Sequence, residues 1–104
     1  MKTTLFAALT VMLAATPAIA GTDLVKSKKC LTCHAVDKEV NGPSFQAIAK
    51  LYKGTDKAEA KLADKIKKGG AEHWGTKVMP PADVRGVKIS DAEAKKLARW
   101  VLTQ

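Results

Sequence analysis

The stretch that decides the fold is Cys30-Leu31-Thr32-Cys33-His34, in which two thiols stand three positions apart and an imidazole follows the second. These are the only two cysteines among 104 residues, and the chain has only two histidines. A disulfide closing so short a loop would restrict the unfolded chain very little. Both sulfurs can instead reach one side of a single bound group, so the motif predicts a cofactor site.

The spacing of the motif is the one that attaches haem c, with two thioethers to the vinyl groups and the imidazole carried beneath the iron. A thioredoxin-like disulfide also uses Cys-x-x-Cys, but in a βαβ setting that this sequence lacks. A zinc site would need His73 as its fourth ligand and lacks the usual paired spacing. A chance match with a purely structural His34 is the remaining alternative.

The first twenty residues have the pattern of a secretory signal. Lys2 precedes an apolar run over 5–15, and Ala18-Ile19-Ala20 supplies a small-x-small cleavage site. We expect residues 1–20 to be a signal peptide cut after Ala20, leaving one domain over 21–104 in the periplasm. An uncleaved membrane anchor is the alternative, and nothing later in the chain could span a bilayer.

Charge and length limit the function classes. The full chain has 18 basic and 10 acidic side chains, a formal charge of +8. Without residues 1–20, which contain only Lys2 among charged residues, it has 84 residues and a formal charge of 17 − 10 = +7. This length excludes a multidomain enzyme and is near the lower limit for a domain that folds on its own core.

The hydrophobic pattern predicts an all-α domain, because no segment alternates as a pair of strands would. A first short helix is expected to begin at a Thr22 or Asp23 cap and run towards Cys30. A long loop is expected between Gly69 and Ser90. The second helix is expected to end before Gly54 and to carry the apolar positions Phe45, Ile48, Ala49 and Tyr52. The third is expected to begin at a Thr55 or Asp56 cap and to carry Ala58, Leu62 and Ile66. The last is expected to begin at a Ser90–Glu93 capping box and to carry Ala94, Leu97, Ala98 and Val101, beside Trp100.

A haem iron held by one histidine needs a sixth ligand or an open site. Met79 is the only methionine after residue 20 and lies in the long loop before Pro80 and Pro81. A lone methionine is ordinarily core filler, but in this loop axial ligation of the iron is the favoured interpretation. His73 is the competing ligand and is interpreted as a surface histidine.

With these residues in place, the chain resembles the small bacterial class I cytochromes c, the cytochrome c-551/c-552 group. The resemblance covers nearly all of residues 21–104, and it implies about four helices wrapped around one covalently attached haem c. It is carried by Cys30 to His34, Asn41-Gly42-Pro43, Trp74-Gly75, Met79-Pro80-Pro81 and the stretches Asp91 to Ala94 and Trp100 to Leu102.

The resemblance also implies roles for single residues. The Pro43 carbonyl is expected to accept a hydrogen bond from the His34 ring, and Trp74 and Lys65 are expected near the haem propionates. The plain alternatives are a turn proline, a core aromatic and a solvated charge. Ala82 stands where many relatives carry Asn, and the segment 83–89 is longer than is usual.

The expected function is that of a periplasmic one-electron carrier with His34 and Met79 as axial ligands, and not that of an enzyme. The alternative is a haem-based sensor or ligand-binding protein with a labile sixth ligand. Lysines near the motif, Lys26, Lys28, Lys29 and Lys77, would steer the protein to reductases, oxidases or membrane bc-type donors with acidic docking surfaces. We expect a monomer without stable membrane insertion, and nucleic acid is an unlikely partner for an exported protein without an aromatic-basic platform.

Overall fold

The computed structural model describes residues 7–11 and 17–104, with the side chains of 17–20 left aside. Four α-helices follow one another: α1, Pro17–Ser27; α2, Phe45–Tyr52; α3, Ala58–Lys68; and α4, Asp91–Leu102. A single 3-10 turn, Cys30–Thr32, separates α1 from α2. Within the described ranges there are only two isolated β-bridges and no strand, so the all-α prediction is confirmed.

The helix boundaries agree with the sequence at three places and differ at two. Helix α2 ends before Gly54, α3 ends at Gly69, and α4 begins with the expected capping box. The cap of α3 differs: Lys57 precedes the helix in a left-handed conformation with φ 55°, and no side chain caps the first turn.

 Lys29 precedes the 3-10 turn in the same left-handed conformation, with φ 59°.

The start of α1 is the other difference. The helix begins at Pro17 and not at a cap on Thr22 or Asp23, which both lie inside it. The predicted cut after Ala20 therefore falls inside α1, and most of the predicted signal peptide lies outside the described residues. Processing at this position stays a prediction. None of the described helices is long and apolar enough to cross a membrane.

Helix α4 is the centre of the packing, since α1, α2 and α3 all contact it. Its expected apolar face is fully confirmed: Ala94, Leu97, Ala98, Trp100 and Val101 are all buried. The Trp100 ring meets the Phe45 ring of α2 edge to face, with centroids 5.0 Å apart. Such aromatic pairs stabilise a core beyond their buried area. This packing fixes α2 relative to α4 and leaves the 3-10 turn and the long loop to form the site.

The segment between α3 and α4 is irregular, as the sequence predicts. It is nevertheless held in place, because Gly70 and Met79 form an isolated antiparallel bridge and the Ala82 N–H donates to the Lys67 carbonyl at 3.0 Å. Buried Ala82 and Ile89 add apolar contacts to the core. The loop is therefore a defined wall of the molecule.

Candidate haem site

The 3-10 turn gathers the three residues of the Cys-x-x-Cys-His motif. The Cys33 and His34 N–H groups both donate to the Cys30 carbonyl, at 3.2 and 3.0 Å. Both cysteines are free thiols, and all three side chains are half-buried. All three line one mostly apolar cavity of about 320 Å³. A volume of this order is typical of small-molecule and cofactor sites.

The His34 ring is oriented by its neighbours. Its Nδ1 lies 2.7 Å from the Pro43 carbonyl oxygen, and the Phe45 ring stacks on it with centroids 5.3 Å apart. Because a backbone carbonyl can only accept, Nδ1 carries the proton and donates. The lone pair is then on Nε2, where a metal can bind it. The structure thus contains the hydrogen bond that the resemblance implies.

Gly42 allows this approach of the Pro43 turn to the histidine. Its N–H donates to the Cys33 carbonyl at 2.7 Å. A Cβ at this position would stand 2.8 Å from His34 Cε1 and 3.1 Å from Nδ1. Any side chain at position 42 would push the His34 ring away from the Pro43 carbonyl. Gly42 therefore leaves room for the ring, and Pro43 accepts its hydrogen bond.

Met79 reaches the same cavity from the long loop. Its N–H donates to the Gly70 carbonyl at 3.0 Å, and the Gly70 N–H donates back to the Met79 carbonyl at 2.9 Å. The bridge requires Gly69, which has φ 71° and ψ −160°, a conformation that is nearly confined to glycine. The structure therefore brings Met79, distant in sequence, onto the cavity that also holds Cys30 and His34.

The remaining predicted site residues, Pro43, Trp74 and Lys65, also line the cavity. Trp74 is half-buried, and Lys65 Nζ pairs with Glu72 Oε1 at 3.1 Å. His73 is exposed, as expected of a surface histidine. Its ring nevertheless borders the cavity and meets the Tyr52 ring edge to face at 5.9 Å.

The first thiol of the attachment turn is affected by burial and by a nearby charge. Burial raises the pKa of the Cys30 thiol, and the positive charge of Arg85 partly offsets that rise. Arg85 therefore lies within electrostatic reach of the first cysteine, although 55 residues separate them in sequence.

Sequence reasoning missed Phe45, Gly69 and Arg85 as parts of the site. Phe45 looked like one apolar position of an amphipathic helix, and Gly69 looked like a helix terminator. Both have those roles, but Phe45 also borders the cavity and Gly69 also allows the Met79-Pro80 backbone to approach closely. Nothing in the sequence around Arg85 marks it, since an arginine in a polar loop is ordinarily solvated.

These residues fit a haem. Two thiols lie one turn apart, an imidazole has its Nε2 lone pair free, a thioether borders the same space, and the lining is largely apolar. A soft thioether and an imidazole are suitable axial ligands for haem iron. In contrast, no group of three or more His, Cys, Asp or Glu side chains in the described part of the chain could hold a metal ion.

Comparisons with known proteins identify the family of the chain. The Cytochrome c family profile matches residues 18–104. Cytochrome c-551 of Azotobacter vinelandii is 47% identical over 83 residues, which are 80% of this chain and 95% of the relative. Cytochrome c-552 of Nitrosomonas europaea is 45% identical over 92 residues, 88% of this chain and 85% of the relative. The chain belongs to the cytochrome c family.

The solved structures narrow the class further. The crystal structure of wild-type Nitrosomonas europaea cytochrome c552 superposes with a TM-score of 0.72 at 44% identity, covering 79% of this chain and 96% of that one. The class 1 cytochrome MtoD from Sideroxydans lithotrophicus ES-1 gives a TM-score of 0.67 at 29% identity, covering 86% and 97%. The fold is that of a small bacterial class I cytochrome c, and the resemblance to the c-551/c-552 group is confirmed.

Membership of this family defines the cofactor as one covalently attached haem c, and Cys30 and Cys33 fit its attachment motif. The coarse function follows: the protein is a small monohaem electron carrier that exchanges electrons with redox partners.

Proposed function

We propose that the protein is a periplasmic one-electron carrier in which Cys30 and Cys33 hold the haem and His34 and Met79 bind its iron from two sides. The observation that supports this most directly is the single cavity bordered by all four side chains. When bound, the haem supplies a ferric/ferrous couple.

The protein side chains and backbone would hold the haem and orient its ligands. The Pro43 carbonyl keeps the proton of His34 on Nδ1, which reserves Nε2 for the iron and fixes the plane of the ring. The Gly70–Met79 bridge holds the thioether on the cavity wall. His34 and Met79 would both hold the iron, which would leave no open position for a substrate, so the chemistry that the bound haem would supply is electron transfer without bond making. The protein acts as a carrier and not as an enzyme.

Replacement of Met79 by Ala tests the ligation. The oxidised wild-type protein should have the weak long-wavelength charge-transfer band of a thioether on ferric haem, and its ferrous form should not bind carbon monoxide. The Met79→Ala protein should lose the band and bind carbon monoxide. Val78→Ala, at a neighbouring side chain that is 67% exposed, is the control and should behave as wild type.

The opposite result identifies the alternative function. Carbon monoxide binding by the untreated ferrous wild type would mean a labile sixth ligand and would favour a haem sensor. Retention of the band in Met79→Ala would exclude Met79 as the ligand. An intact mass without a haem adduct, measured on folded protein from a host that matures cytochromes c, would contradict attachment at Cys30 and Cys33.

Partner docking is expected around the mouth of the cavity. Lys29 and Lys77 are exposed on the cavity wall, and exposed Val78 and Leu31 lie beside the motif and the ligand loop. An apolar patch with nearby lysines suits a short-lived complex with an acidic partner surface. Lys77 pairs with Glu39, whereas Lys29 has no carboxylate partner among the described residues. Lys28 does not belong to this set, because it is not on the cavity wall and pairs with Glu93 at 3.1 Å.

Small oxidants of opposite charge test this docking surface. Oxidation of the ferrous protein by anionic ferricyanide should slow as ionic strength rises, whereas oxidation by a cationic cobalt complex should accelerate. Lys29→Gln should reduce the ferricyanide rate more than Lys96→Gln, which removes the same charge from an exposed position of α4. Equal effects of the two substitutions would show that only net charge matters.

The proposal includes export to the periplasm with cleavage after Ala20, and a monomeric protein. Protein from the periplasmic fraction should begin at Gly21 in a terminal sequence measurement and should sediment at the mass of one chain. Retention of residues 1–20 in material anchored to membranes would support the anchor alternative.

A further inference from the structure

The segment that follows Met79-Pro80-Pro81 has a defined conformation in the fold. The Arg85 N–H donates to the Pro81 carbonyl at 3.1 Å, and the Val87 N–H donates to the Ala82 carbonyl at 3.1 Å. Gly86 takes a positive φ of 74°. These bonds close a compact turn, and the Arg85 side chain extends from it back towards α3. This turn belongs to the segment 83–89, which is longer than is usual among the cytochromes that the chain resembles.

Arg85 is an unusual member of the cavity wall. One of its terminal nitrogens, Nη2, donates to the Ile66 carbonyl at 2.6 Å. Its Nε is buried and has no hydrogen-bond partner among the described residues. It forms no ion pair there either, whereas two other cations of the wall, Lys65 and Lys77, each have a glutamate partner. The Arg85 guanidinium thus lies on the cavity wall with no carboxylate partner for its charge and no acceptor for its Nε–H among the described residues.

We infer that Arg85 is a half-buried cation on the wall of the haem cavity that raises the reduction potential of the bound haem. This inference rests on the proposed function, since it requires a haem in the cavity. It assigns to Arg85 a positioning and tuning role, not contact with the iron.

Arg85 is half-buried, and its buried Nε and unpaired charge lie on the wall of the cavity, where the field of a cation is screened less than at an exposed position. Ferric haem carries one more positive charge than ferrous haem, so a nearby cation favours the ferrous state. Removal of the cation therefore lowers the reduction potential.

The expected size follows from the distance dependence of Coulomb energy. At an effective dielectric constant of about 20, a unit charge acting over roughly 10 Å changes an equilibrium constant about tenfold. For a one-electron couple, a tenfold change corresponds to about 59 mV. We therefore expect Arg85→Gln to favour the ferric form about tenfold.

The experiment compares potentials of holoprotein variants. Arg85→Gln should have a lower potential than wild type by about that factor, and Arg85→Lys, which keeps the charge, should remain close to wild type. Arg99→Gln is the matched control, because Arg99 lies exposed on α4 and pairs with Glu59 at 2.9 Å. Its effect should be several times smaller and should vanish at high salt, while the effect at Arg85 should persist.

Each outcome decides the inference. Equal potentials for wild type and Arg85→Gln, or equal shifts for Arg85→Gln and Arg99→Gln, would overturn it. If Arg85→Gln loses the thioether band, Arg85→Lys decides: a potential near that of wild type with the band intact supports the inference, and a potential as low as that of Arg85→Gln overturns it. Failure of the proposed function would look different, since the haem adduct or the thioether band would then be missing in the wild type.

Discussion

Replacement of Gly69 by Ala should release Met79 from the cavity wall. Gly69 ends α3 with φ 71° and ψ −160°. A Cβ there would overlap the Met79 carbonyl oxygen and stand 2.9 Å from the Pro80 carbonyl carbon and 3.0 Å from the Pro81 nitrogen. All three neighbours are backbone atoms, so they cannot move away by a change of rotamer.

The cost can be estimated from these contacts. The backbone conformation alone costs an alanine about 1–3 kcal/mol. Moving the Met79-Pro80 backbone aside also breaks the two bonds of the Gly70–Met79 bridge, at about 1 kcal/mol each. We expect Gly69→Ala to reduce the free energy of unfolding by about 3–5 kcal/mol. Gly54→Ala is the matched control: Gly54 has a similar φ of 76°, but nothing lies within 4 Å of its Cβ position.

The assay is denaturant unfolding of the oxidised holoprotein, followed by helical circular dichroism and, in parallel, by the long-wavelength band. Gly54→Ala should show the backbone cost alone and keep the band. Gly69→Ala should be less stable by about a further 2 kcal/mol and should lose the band at lower denaturant than the helices. Equal stabilities for the two variants, with the band intact in both, would refute the steric argument.

Three further predictions concern the histidine and the last helix. Gly42→Ala should push the His34 ring away from the Pro43 carbonyl and lower the free energy of unfolding by about 1–3 kcal/mol; an unshifted His34 ring resonance in NMR spectra would contradict this. Ser90→Ala should cost about 1 kcal/mol in denaturant unfolding, because the Glu93 N–H loses its cap, and a cost near zero would mean that the cap contributes nothing. The Ser90 N–H bond to its carboxylate holds the pKa of Glu93 below its ordinary value of 4.5, so its contribution to stability is present above that value and is lost as pH falls through the lowered pKa. Glu93→Gln keeps an acceptor without a charge, so the stability of that variant should fall less on acidification, and parallel pH profiles would argue against the linkage.

The sequence predicted most of the helical framework because its signals are local. The apolar spacing of α2 and the Ser90–Glu93 capping box each depend on residues within one or two turns. The cap of α3 was predicted wrongly at Thr55 or Asp56, since a left-handed Lys57 starts the helix without a side-chain cap. Polar residues are frequent both in caps and in plain turns, so residue type alone does not distinguish them.

The motif Cys30 to His34 determined the cofactor by itself, because attachment and ligation use neighbours in sequence. Met79 was favoured as a ligand from the sequence, but only the tertiary structure decided how distant groups reach that cavity. The Gly70–Met79 bridge brings the thioether to it, and the turn after Pro81 places the Arg85 guanidinium on its wall with a buried, unpartnered Nε. Such contacts depend on how the loops pack in three dimensions. Whether a charge or a donor has a partner depends on its neighbours in space, which the local spacing of residues does not predict.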